Sequence, residues 1–400
     1  MERDTSFREQ LGVRPIINVS GTMTHLGASI VVPQAAAWIS AILPEFVELG
    51  ELHKLASHTI SRLTGAEAGL VTASAAAGLT IGCAAAMTGS DIGRIEQLPD
   101  ASEMNNEVLI QLGHMVSYGA PVTQGIRLSG ATPVTVGDTN SSSALRLAGR
   151  ITDKTIAGMY VVSHHTVQYG MLPLKEFSRV CHDHGVPVIC DLASEYDLRG
   201  FLEDGCDLAI YSAHKFLGGP TAGIIAGKKE LVRACYLQNM GIGRGMKVGK
   251  EGIVGTIAAL NAWEHRDHVA IRTAETRTLT LWLQALSTYK GVTATIEPDP
   301  TQNPLDRLKL AVNPVDSGIT AWDLARRLAA GDPPVIVRDH ESERGHFYLD
   351  PCNLHAGEEA TVAERLVKEL NWAKGHPGEE ATDLAEVKAR RLLAQLSWPD

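Results

Sequence analysis

Short apolar runs alternate with stretches of helical apolar spacing through the middle of the chain. Residues 68–72, 108–111, 132–136, 155–162, 186–190, 208–211 and 223–226 are such runs, rich in Val, Ile and Ala and too short for helices, and each predicts a strand. Between several of them lie helix-like stretches, including residues 174–184, and residues 33–64 are helically spaced ahead of the first. Strands that are apolar throughout need cover on both faces, so the pattern predicts a doubly wound, mostly parallel α/β sheet. Ile16 to Gly27 lacks helical spacing and predicts an extended arm with turns. After Gly252 a long helical stretch runs through Trp263 towards Leu286. Strands at 292–296 and 308–312, a helix at 321–329, a hairpin-like pair at 335–337 and 346–349, and a last core helix at 357–372 complete a smaller α+β C-terminal domain. The predicted boundaries are an arm at 1–35, a large domain at 36–252, the interdomain helix and small domain at 253–372, and a charged helical tail at 373–400 that would pack on a partner subunit.

Composition narrows this picture. Four hundred residues with 44% hydrophobic and 20% charged side chains can bury a large core and exceed a single small binding module. The net charge of −10 gives no global basic field, which argues against nucleic acid or anionic lipid as the main partner. The first ten residues carry no apolar core of signal-peptide length and no later run approaches a membrane span, so a cytoplasmic protein is expected. Six cysteines lie scattered without a CxxC pair, which points to reduced thiols rather than disulfides or zinc.

The chemistry concentrates at two strand ends. Val188-Ile-Cys-Asp191 and Leu208-Ala-Ile-Tyr-Ser212-Ala-His214-Lys215 each close an apolar strand with polar groups, and open α/β sheets bind ligands beyond the carboxyl ends of their strands. A lysine placed there is costly to bury as a free ammonium; an imine linkage removes the charge and makes it a covalent catalyst. Pyridoxal phosphate asks a protein for a Schiff-base lysine, an acid at the pyridine nitrogen, a phosphate cup and a ring-stacking group. Lys215 and Asp191 suit the first two. The turn Ser74-Ala75-Ala76 opens a helix whose free N–H groups can receive a phosphate, and Ser212 and His214 can add donors. His114, at the end of another strand, is placed to stack on the ring. Taken singly, each has an ordinary reading as cap, solvated lysine or half-buried histidine; together they fall in workable order at the strand ends of one domain.

The segments 17–27, 64–77, 191–197, Ser212-Ala-His-Lys215 and 246–251 resemble those of the selenocysteine synthase-like group of fold type I pyridoxal phosphate enzymes, over most of residues 11–372. The resemblance implies an aminotransferase-like fold, Lys215 as the cofactor-bearing lysine, Asp191 as pyridine partner, His114 as stacking residue and a homodimer at least, with the active site between protomers. Selenocysteine synthase has an N-terminal region that helps to bind transfer RNA; here the family-like arm starts almost at the first residue, which with the acidic charge favours a small amino acid or amino sugar acid as substrate. Arg244, in the basic, glycine-rich stretch 241–250, suits a substrate anion, or else marks an exposed loop or subunit contact. Thr22 and His165 are further substrate-contact candidates. His164-His165 and His182-Asp-His184 are poor metal clamps, since adjacent residues on an extended segment face opposite sides, and no metal is expected. The expected activity is a pyridoxal phosphate-dependent lyase, most simply β-elimination to a 2-oxo acid and ammonia. Aldol cleavage, racemisation or β-replacement on the same scaffold are the alternatives, and a catalytically silent binding protein of this fold is a remote one.

Overall fold

In the computed structural model, which describes residues 6–379 and 381–399, the apolar runs pair edge to edge. In chain order the strands are β1 (Ile17–Val19), β2 (Ala68–Thr72), β3 (Glu107–Gln111), β4 (Thr132–Val136), β5 (Thr155–Val161), β6 (Val188–Asp191), β7 (Leu208–Ser212), β8 (Gly223–Gly227), β9 (Val292–Pro298), β10 (Asp306–Val312), β11 (Val335–Val337) and β12 (His346–Leu349). A seven-stranded sheet has the order β2-β8-β7-β6-β5-β3-β4. Its neighbours are parallel except at β8, which runs antiparallel to both β2 and β7. The carboxyl ends of the other six strands therefore share one edge, where the expected chemistry lies.

Both sheet faces are covered, as continuously apolar strands require. On one face the small residues of the helix Ala75–Thr88 let it lie close to the sheet: a side chain at Gly78 would meet Ile210 at 3.0 Å. On the other, the helix Leu174–Asp183 buries Phe177 and Cys181 against Gly158 of β5.

The chain divides into two units, Ser29–Arg266 and the residues up to Ala28 together with those from Asp267 on. These cuts fall at 28/29 and 266/267, where the pattern suggested 35/36 and 252/253. The long helical stretch after Gly252 is two helices, Lys250–Glu264 and His268–Leu286, the second capped by the Asp267 carboxylate on the Ala270 N–H at 2.8 Å. The first stays with the sheet unit because its small residues pack on the helix Pro33–Ile42, with Gly255 against Ile39. The second buries Leu279, Trp282 and Leu286 with Leu308, Leu310, Phe347 and Leu366 in the core of the other unit.

That smaller unit holds a three-stranded antiparallel sheet in the order β12-β10-β9 and the parallel pair β1-β11. The hairpin-like pair expected near residues 335–337 and 346–349 survives as one antiparallel bridge, Arg338 with Tyr348, while the ladders themselves join β11 to β1 and β12 to β10. The arm supplies β1, and Asn353 donates to the carbonyls of Gly21 and Ala28, so it is built into this unit. The tail forms the helix Leu384–Leu396, whose Lys388 and Arg391 pair with Glu343 and Asp339 of the same chain. All six cysteines are free, and no helix among the described residues is long and apolar enough to cross a membrane.

Candidate active site

Asp191 ends β6 opposite Ile210 of β7, whose last residue is Ser212, and the pairing continues beyond β6 through Leu192 N–H on the Ile210 carbonyl (2.9 Å) and Ser212 N–H on the Ala193 carbonyl (3.2 Å). Asp191 is buried at 4% exposure, accepts the Ala193 N–H at 3.3 Å, and lies within the electrostatic reach of the Tyr118 hydroxyl. Burial raises its pKa to about 6, against the pull of Ala193, Lys215 and Tyr118. Lys215 is half-buried in the turn after β7 and lies within the electrostatic reach of both Asp191 and His214. His214 is buried with neither ring nitrogen hydrogen-bonded; burial, then the lysine charge, lower its pKa to about 4 and keep it neutral.

On the other side of β8, β2 runs into Ser74, which caps the helix Ala75–Thr88 by accepting the Ala77 N–H at 3.0 Å. Gly223 opens β8 between Thr72 and Ser212, and a Cβ there would collide with the Ser74 carbonyl. A glycine is what lets the Ser74 turn settle onto this edge. The N–H groups of Ala75 and Ala76 belong to the first turn, which has no intrahelical acceptors, so the Ser74-Ala75-Ala76 turn, Ser212 and His214 are assembled at one end of one sheet.

These groups fit pyridoxal phosphate by their chemistry. A buried carboxylate for a pyridinium, a half-buried lysine for a covalent bond, a helix start for a phosphate and an orphaned neutral imidazole are each a feature that an apolar core alone would not retain.

The remaining expected residues are placed as follows. His114 is buried after β3; its Nδ1 accepts the Val161 N–H at 3.2 Å and its ring meets Tyr160 edge-on with centroids 4.6 Å apart. Burial lowers its pKa to about 4. His165 is exposed, and its ring lies against that of His164 with centroids 3.8 Å apart, a correction to the opposite-face expectation: Ser163–Thr166 forms a turn, not an extended strand. No group of three or more metal-ligating side chains forms among the described residues. Arg244 is exposed in the short 3-10 segment Ile242–Met246, while Lys250 of the same basic stretch is spent on the carbonyls of Leu43 and Glu45. Thr22 belongs to the smaller unit.

Two residues escaped the sequence reading. Tyr118 sits in an unpatterned loop, and only the fold carries its hydroxyl to Asp191. Arg338, in the smaller unit, has a half-buried guanidinium with no ion pair among the described residues, while neighbouring Arg307 takes both Asp299 and Asp350. Burial and the Arg307 charge lower the Arg338 pKa, against the pull of Asp350, Asp299 and Glu341.

The family model for SelA, L-seryl-tRNA selenium transferase, matches residues 16–298. A D-glucosaminate-6-phosphate ammonia lyase of Salmonella typhimurium is 39% identical over 358 residues, 90% of this chain and 96% of that protein. A solved structure of a D-glucosaminate-6-phosphate ammonia-lyase superposes with a TM-score of 0.84 at 38% identity, covering 94% of this chain and all of the other. A 5'-C-glycyluridine monooxygenase-decarboxylase of a Streptomyces species is 34% identical over 92% of this chain and 93% of its own length. Aspartate aminotransferase from Thermus thermophilus, at 16% identity and a TM-score of 0.53 over 91% of this chain and 94% of its own, shares the fold. The chain belongs to the SelA family and is an enzyme with the fold type I, aminotransferase-like architecture.

Proposed function

We propose that the protein is a pyridoxal phosphate-dependent lyase that converts a small amino acid or amino sugar acid bearing a β-leaving group into a 2-oxo acid and ammonia. The observation that carries this reading is the placement of buried Asp191 and half-buried Lys215 on neighbouring strand ends beside the orphaned His214. Pyridoxal phosphate, when bound, supplies an electron sink for the bond broken at the substrate's α-carbon. Lys215 would anchor it covalently and, once exchanged for the substrate amine, take the α-proton on Nζ. Asp191, ionised, would hold a proton on the pyridine nitrogen. The Ser74-Ala75-Ala76 turn, Ser212 and His214 would hold the phosphate, and His114 the ring. Arg244, His165 and Thr22 are the proposed substrate contacts.

A different outcome on the same residues is the second reading, because one relative is named a monooxygenase-decarboxylase rather than an ammonia lyase. The protein is further proposed to be cytoplasmic, homodimeric and independent of nucleic acid.

The test is product analysis with D- and L-β-hydroxy amino acids and phosphorylated amino sugar acids. A 2-oxo acid with equimolar ammonia is expected; an aldehyde or the mirror-image amino acid would move the assignment to aldol cleavage or racemisation. Lys215→Ala is expected to lower turnover at least about a thousandfold, as removal of a covalent and proton-transfer group does. Full turnover and an unchanged visible chromophore in that variant would overturn the cofactor assignment.

A further inference from the structure

We propose that Arg266 is the positioning residue for Lys215, acting through the backbone of the turn that carries it. The inference rests on Lys215 being the reactive lysine but not on which reaction follows. Every carbonyl from Lys215 to Gly218 is held by a group outside the sheet. The Ser29 hydroxyl donates to the Lys215 carbonyl at 2.7 Å, Arg266 Nη1 to Phe216 at 2.8 Å, Arg266 Nη2 to Leu217 at 3.2 Å, and the Val32 N–H to Gly218 at 2.8 Å. Inside the turn, the Gly218 N–H bonds the Lys215 carbonyl at 3.0 Å and the Gly219 N–H bonds the Ala213 carbonyl at 2.7 Å.

Arg266 is itself fixed. Its guanidinium lies 4.7 Å from the centroid of the Trp263 ring, the Trp263 and Tyr196 rings are 4.3 Å apart, and Tyr196 meets Phe216 at 5.4 Å. The brace thus closes on itself, from the Phe216 carbonyl through Arg266, Trp263 and Tyr196 back to the Phe216 ring. Tyr196 lies in the segment that leaves Asp191, so the same brace ties the carboxylate's segment to the lysine's turn. A planar fork holds two successive carbonyls in one fixed geometry, where a lysine would offer a rotatable point charge. Loop backbone that would otherwise exchange partners with water is locked, and Lys215 can swing at its side chain while its Cα stays set relative to Asp191.

The experiment uses the full-length, cofactor-free protein with Arg266→Gln and Arg266→Lys. Charge-assisted hydrogen bonds are each worth enough to change local opening about tenfold. Amide exchange in residues 213–219 is therefore expected to quicken at least about tenfold in Arg266→Gln and less in Arg266→Lys, with β4 at the far sheet edge unchanged. The second readout is the pH profile of Lys215 labelling by trinitrobenzenesulfonate, located by peptide mass. Its midpoint is expected to move in Arg266→Gln and to return towards wild type in Arg266→Lys. Faster exchange with an unmoved labelling midpoint would make Arg266 merely structural and overturn the proposal, as would unchanged exchange. If Arg266→Gln does not fold, Ser29→Ala, which removes one bond to the Lys215 carbonyl, is read the same way with a smaller rise. Neither readout needs bound cofactor, so a wild-type protein that shows no visible band with pyridoxal phosphate defeats the reading of the function while leaving this one decided on its own data.

Discussion

Asp191 illustrates how one carboxyl can report on a whole site. Its pKa is raised to about 6 chiefly by burial, so the cofactor-free protein holds it protonated in mild acid and ionised near neutrality. Only the ionised form attracts a pyridinium. Apparent affinity for pyridoxal phosphate is therefore expected to be flat above pH 6 and to fall as pH drops through 6, approaching tenfold per unit. The check is a titration of the visible band from pH 5 to 8. Asp191→Asn should bind weakly throughout and lose that break, and a break that persists in it would assign the titration to another group. Lys215 and Asp191 stood out in the sequence only as a pair at the ends of two buried strands, because singly each reads as a solvated lysine or a cap. Tyr118 and Arg266 did not: each lies in a loop or past a helix end, and their partners are distant in sequence, Asp191 for one and the carbonyls of Phe216 and Leu217 for the other.

At the scale of elements, the strands that announced themselves are those buried on both faces, such as β6 and β7, where unbroken apolar runs leave no helical reading. What periodicity could not deliver was partnership. Nothing in Val335–Val337 says that it pairs with a strand more than three hundred residues earlier, so the hairpin reading caught only the Arg338–Tyr348 bridge and missed the ladder with β1. The break between Lys250–Glu264 and His268–Leu286 was hidden because both halves carry helical spacing, although they bury it in different cores. Close approach between layers was likewise invisible, yet it makes a firm prediction at Gly158. A Cβ on this β5 residue would stand 2.8 Å from Phe177 Cε1 and 2.9 Å from Cys181 Sγ, both on the covering helix. Gly158→Ala is thus expected to cost about 1–3 kcal/mol through overpacking, seen as a lower thermal midpoint of the cofactor-free protein. An unchanged midpoint would mean that the helix Leu174–Asp183 can move outward freely.

For the molecule as a whole, the −10 charge removes any general pull on polyanions, so association has to be argued from apolar surface. Between residues 38 and 55 the sheet unit exposes Trp38, Leu43, Phe46, Val47, Leu49 and Leu55, with Phe46 fully open to solvent. The turn that displays Phe46 is not a loose end. Lys250 reaches back to the carbonyls of Leu43 and Glu45, and the helices Pro33–Ile42 and Leu49–Thr64 flank it. Ordering a turn so as to hold an aromatic ring in water is unfavourable unless a second surface covers it, and an exposed run of large apolar side chains is a usual mark of an interface. A second copy of this chain is the simplest cover, in line with the homodimer proposed above. Phe46→Asp places a charge at the centre of that run without touching Lys215 or Asp191. The expected loss of about 2 kcal/mol or more in self-association would raise the dimer Kd at least about thirtyfold. In sedimentation equilibrium at micromolar concentration the wild type should be dimeric and the variant should show monomer. A wild type that sediments as a monomer removes the dimer, and a variant that remains fully dimeric moves its interface away from this turn.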